Sequence, residues 1–151
     1  MAHQLTVEDA RQSLAAHVAD RGAEIRERFG PRIGMEELQR IMEDRTCVRY
    51  PCALRFGAQP LQPGELAYPQ PRGETPEAGF TIVVHPRLAA DPAACVAAVL
   101  YQLVVVNYGE FAGPEDAESF GAAVLGCPRE EYYTALCGWA DSLAAGDAKA
   151  G

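Results

Sequence analysis

The chain has 151 residues, 48% hydrophobic and 23% charged, the size and composition of one soluble globular domain, which excludes disordered, collagen-like and channel-forming chains. Thirteen basic residues against twenty-one acidic ones leave a net charge of −8, so neither a nucleic acid nor a membrane is expected as a partner. Residues 88–151 carry only Arg129 and Lys149 against nine acids, which predicts an acidic surface there, while the arginines are scattered from Arg11 to Arg129 without a cluster in the sequence.

The chain opens Met1-Ala2-His3-Gln4 with neither a basic segment nor an apolar run, so no secretory signal is read and a cytoplasmic location is expected. Five cysteines, Cys47, Cys52, Cys95, Cys127 and Cys137, are an odd number in a short chain and fit reduced thiols better than a disulfide framework. Thr6 and Asp9 form an acidic capping pair ahead of Val7, Leu14, Val18 and Ile25, predicting an amphipathic helix over 7–29 that Gly30-Pro31 ends. Met35, Leu38, Ile41 and Met42 then predict a short helix from Gly34 to Asp44.

The period next changes to two. Val48, Tyr50, Cys52, Leu54 and Phe56 alternate with more polar neighbours, a strand with one buried face that Pro51 places at or near a sheet edge. On such a strand Cys47 and Cys52 point to opposite faces and cannot chelate together. Five prolines between Gly57 and Gly79 predict a pinned loop in which only Glu65 to Tyr68 looks extended. Phe80 to His85 reads as a second clear strand.

Asp91-Pro92 is a helix start, an Asp cap with Pro at the first helical position, and leads into an apolar helix over 92–107. Its longest apolar run, Ala93 to Val106, is fourteen residues broken by Gln102, shorter than the roughly 20 a bilayer span needs, so it predicts a core helix. Gly113-Pro114-Glu115-Asp116 opens another helix that Gly126 closes, and a last one runs from Pro128 to about Ala145. Residues 146–151 read as a disordered tail. The whole predicts a single α+β domain over 1–145, with a small mixed or antiparallel sheet packed against a buried central helix and further helices.

From Phe80 to Leu125 the chain reads FTIVVHPRLAADPAACVAAVLYQLVVVNYGEFAGPEDAESFGAAVL. This order of strand, turn, helix and acid-headed helix resembles the minimal zincin-like metallopeptidase domains, in which the first helix carries H-E-x-x-H. The resemblance implies a zincin-like fold and puts Tyr101 at the first zinc histidine, Gln102 at the general-base glutamate, Val105 at the second histidine and Asp116 at the third ligand. Only the last could still bind a metal. Two histidines four apart grip one ion from one helical face, and catalytic zinc needs about three protein ligands. Valine has no lone pair, a tyrosine with a reference pKa of ~10 keeps its proton, and an amide is no base. No catalytic residue, metal or cofactor is therefore expected. The whole chain also resembles small bacterial proteins, a likeness that adds no mechanism.

Several residues keep two readings. His85 is a turn residue bonded to nearby backbone, or a member of an atypical site. With Tyr108 and Glu118 it would line a pocket near the degenerate motif. Cys127, ahead of Pro128, is a helix-start thiol whose pKa the dipole could lower, or a structural one. Glu110, Glu115, Asp116 and Glu118 could hold a hard cation or be solvated acids. Gln102 has a polar partner such as Tyr101, Asn107 or Tyr108, or lies on the helix's one exposed edge. Val105 is expected to be buried and to fill the former cleft. The leading expectation is a non-catalytic scaffold or interaction module with a protein partner or a second copy of itself. The alternative is an atypical hydrolase or metal-dependent enzyme using Tyr101, Asp116 and His85.

Overall fold

Local capping chemistry sets the first boundaries. The Thr6 hydroxyl accepts from Asp9 N–H at 3.0 Å and the Asp9 carboxylate from Thr6 N–H at 3.1 Å, two orphan donors satisfied reciprocally at the head of α1 (Val7–Phe29). At α2 (Met35–Glu43) the Glu37 side chain accepts from Gly34 N–H at 2.9 Å. The computed structural model describes residues 6–150. It continues with β1 (Cys52–Phe56), β2 (Ala67–Pro71), β3 (Phe80–Val84), α3 (Pro92–Tyr108), α4 (Pro114–Leu125) and α5 (Arg129–Ala150), plus short 3-10 turns at Pro76–Ala78, Pro86–Ala90 and Gly109–Phe111. The α+β class expected from the sequence is the class observed.

The sheet has the order β1-β3-β2, with β1 parallel and β2 antiparallel to the central β3. Pro51 immediately precedes an edge strand, as its missing donor requires. The prolines of β2 obey the same rule. His85 N–H donates to Leu66 O and Arg72 N–H to Gly79 O, so alternation along the ladder turns the backbone of Pro69 and Pro71 outward, where no N–H is missed. An outer edge short of donors is also a poor template for another strand.

Ile82 and Val84 turn inward beneath α3, whose residues from Ala94 to Leu100 are all buried. On the far side α1 crosses α4 closely. A Cβ on Gly22 would meet Ala123 Cβ at 2.7 Å and Phe120 O at 2.8 Å, so only glycine permits this approach. Gly126 closes α4 in the left-handed region, φ 73°, with its N–H on Ala122 O. Tyr132 of α5, 2% exposed, donates to Ala97 O at 2.6 Å and ties α5 to α3.

Four sequence expectations change. The segment expected to be extended only from Glu65 to Tyr68 forms β2 over Ala67–Pro71, running through two of the prolines assigned to the loop. The first strand is shorter than its alternation suggested: Cys47 and Val48 are buried in a turn where both N–H groups donate to Asp44 O. The strand argument against Cys47 and Cys52 therefore does not apply to Cys47, since only Cys52 lies in a strand. At the other end, α5 runs on to Ala150 in place of a tail from Gly146, and Gly151 falls outside the described residues, as do Met1 to Leu5. Finally, the helical span Pro92–Phe111 is 20 residues, long and apolar enough to cross a membrane by length and composition, but most of it is buried within the protein, as in a core helix.

Candidate functional site

The C-terminal half of α3 leaves the core on one side. Leu103, Val104 and Val106 stay buried, while Val105 is 38% exposed and Gln102 half-buried. The expectation of a cleft filled by Val105 is thus wrong. Residues three and four apart share a helical face, and the face that carries Tyr101 and Val105 looks into open hollows.

Two hollows meet at Gln102, which lines both. The smaller, about 460 Å³, lies between α3, the start of β2 and α5, and brings Tyr101 and Glu118 together with Tyr133 and Cys137. Burial pushes the Tyr101 phenol up, and the Glu118 charge pushes it further. Burial likewise raises Glu118, an effect that Arg129 opposes. Both shifts favour the protonated form relative to the free side chain.

The larger hollow is an open groove of about 1170 Å³, bounded by the start of α1, the end of α3 with its 3-10 extension, and the sheet. Phe80 and Pro71, paired at one end of the sheet, lie in its wall with Tyr50, Tyr68 and Tyr108. Its rim carries Phe111, 91% exposed, and Val7, 74% exposed. Arg11, Arg49 and Glu110 are the charged residues among those that line it. Exposed apolar side chains scattered singly are ordinary, but Val7, Val105 and Phe111 line one groove, and apolar surface gathered in one place is what contact surfaces are made of.

The remaining sequence candidates disperse. Asp116 is a helix cap, its carboxylate accepting from Gly113 N–H at 2.9 Å. His85 is buried at the end of β3, with Nδ1 accepting from Arg87 N–H at 3.1 Å, which agrees with the turn reading. Tyr108 faces the groove and Glu118 the smaller pocket, and His85 lines neither, so the trio does not assemble. Tyr101, Asp116 and His85 likewise do not share a hollow. Among the described residues no group of three or more His, Cys, Asp or Glu is placed to hold a metal ion. The Cys127 thiol is pushed up by burial, against the lowering that a helix start would bring. Gln102 is half-buried where the two hollows meet, and Asn107 is occupied elsewhere.

Asn107 is the polar residue whose importance the sequence hid. Only 8% exposed, it accepts from Arg49 N–H at 2.9 Å and donates to Cys47 O at 2.9 Å, pinning the turn before β1 to the end of α3. A buried amide satisfied on both sides fixes one arrangement. Its signal in the sequence, an Asn closing an apolar helix, was visible without its partners about sixty residues away. Comparison of the chain with protein-family models, curated proteins and solved structures finds no match.

Proposed function

We propose that this protein is a non-catalytic interaction module that binds an apolar segment of a partner polypeptide in the groove beside Val105, Tyr108 and Phe111. The single observation behind this reading is that open groove, rimmed by Phe111 at 91% and Val7 at 74% exposure. Its volume, about 1170 Å³, exceeds that of pockets shaped for small ligands, roughly 300 to 1,000 Å³. The outer edge of β2, short of donors because of Pro69 and Pro71, offers little strand pairing, so aromatic and aliphatic side chains would supply the affinity. Two arginines against one glutamate among the lining residues, in a chain of net charge −8, favour a segment that carries an acid.

The framework is read as zincin-like and its place as the bacterial cytoplasm, without a metal or cofactor. The support for the first is the order of β3, α3 and α4 with Tyr101 and Gln102 beside the start of β2. Five free cysteines suit a reducing compartment. A hydrolytic reading through Tyr101, Asp116 and His85 has no comparable support, because Asp116 and His85 are engaged as local caps.

The test is selection of peptides from a random library, followed by calorimetry on the native chain and on Phe111→Ser and Val105→Asp. Selected peptides should be apolar with an acidic residue and should lose about tenfold or more in affinity for either variant, the scale of an interface anchor. Failure to select any peptide, or a dimer that the same substitutions dissociate, would overturn the reading in favour of no partner or of a second copy.

A further inference from the structure

Beyond the end of the groove, and sharing Arg49, Asn107 and Tyr108 with it, lies a separate pocket of about 240 Å³. It is of opposite character. His17 and Arg21, one turn apart on α1, face Arg49 from the turn before β1 and the Tyr108 phenol from α3. Among the described residues no carboxylate lines it, while Asp44, bonded to Thr46, and Glu24, paired with Arg21, stand behind its wall. Cations scattered along the sequence thus converge on one cavity in a protein of net charge −8, where a concave wall focuses their field.

The cavity is also held in shape. Asn107 fixes the backbone that presents Arg49, and the Arg49 guanidinium lies 5.8 Å from the Tyr50 ring centroid with one N–H on Asn107 O at 3.3 Å. The His17 and Tyr108 rings meet edge to face at 5.8 Å. Arg21 is braced from outside by Glu24 at 3.0 Å and bonds to the Thr46 carbonyl. A guanidinium has five N–H donors, so each arginine keeps donors beyond those its braces use.

We propose that this pocket is an oxyanion site that anchors, by a carboxylate, the apolar segment bound in the groove. Two guanidinium groups and a phenol can give a carboxylate several charge-assisted hydrogen bonds, the strongest kind available to uncharged or charged recognition. The groove then holds the apolar body and the pocket its charged end. The second half of this statement rests on the proposed function above, while the oxyanion site itself stands on the pocket alone.

The experiment separates the two. The native chain, labelled with nitrogen-15, is titrated first with acetate and with inorganic phosphate at constant ionic strength. Shifts should gather at Thr46 to Arg49 and at Asn107 and Tyr108, weaken about tenfold in Arg49→Gln and in Arg21→Gln, and persist in Arg55→Gln, a control outside the cavity. Arg49 is exposed, so its replacement leaves the fold in place, and the spectrum of each variant reports folding directly. Shifts spread evenly over the surface, or unchanged in both pocket variants, would overturn the oxyanion site. A selected groove peptide is then compared with a version whose acid is replaced by an amide. About tenfold weaker binding of the amide supports the anchor, and equal binding overturns it. Peptide binding without any small-anion response would leave the groove standing and the pocket refuted. The reverse outcome keeps the oxyanion site and refutes the groove.

Discussion

The two hollows on either side of Gln102 differ in kind. The one that holds Tyr101 and Glu118 brings a phenol and a carboxyl together, and burial raises the pKa of both. The one beside Val105 is walled mainly by aliphatic and aromatic side chains, with Arg11, Arg49 and Glu110 as its charged members, and leaves Phe111 and Val7 in water. Tyr101 and Val105, four residues apart on one face of α3, therefore sit in different surroundings, because different elements border the two ends of that face. A site is defined by what surrounds a face and not by the residue types along it.

The largest effect should come where the groove meets the core. Asn107→Leu leaves Arg49 N–H and Cys47 O without a partner, and denaturant unfolding should report a loss of roughly 2 to 3 kcal/mol. A loss no larger than a surface change would mean that the turn carrying Arg49 is not held by this amide. Behind the smaller pocket, Tyr132→Phe removes the 2.6 Å bond to Ala97 O. It should cost about 1 kcal/mol, read as a lower Tm, since the ring still fills its space.

Glu118 tests the smaller pocket with the opposite sign. Its folded pKa is raised above the ordinary value of 4.5, first by burial, so ionisation weighs against the folded state above that value and the penalty disappears as pH falls below it. Glu118→Gln should therefore raise Tm slightly near pH 7 and leave it unchanged in acid. A lower Tm at neutral pH would show the carboxylate to be a bound and useful charge. Smallest of all, Phe111→Ser should shift stability by less than about 0.5 kcal/mol, because the ring is 91% exposed. A large loss there would turn the groove's rim into part of the core.

Much of the framework was legible in the sequence, and for stated reasons. Thr6 with Asp9, Asp91 with Pro92 and Gly126 are local signals whose partners lie within a few residues, and each stands at the boundary it implied. Pro51 marks an edge of the sheet through the donor it lacks, whereas Pro69 and Pro71, expected in a loop, lie in the other edge strand. What the sequence concealed depends on distant partners. The arginines looked scattered because Arg21 and Arg49 meet only after α1 folds against the turn that Asn107 pins. Val105 looked buried because its neighbours Val104 and Val106 are, and hydrophobicity alone does not say which side of an apolar helix lacks a cover. Asp116 carried the right charge for a ligand and is spent on Gly113 N–H, a competition that spacing alone left undecided.

The most direct test of the central claim is an amide NMR map of the chain with a library-selected peptide bound. Shifts confined to the start of α1, Arg49 and Tyr50, the β2 prolines' neighbours and Val105 to Phe111 are the predicted result. Shifts gathered instead around Glu118, Tyr133 and Cys137 would contradict it and return the function to the pocket beside Tyr101.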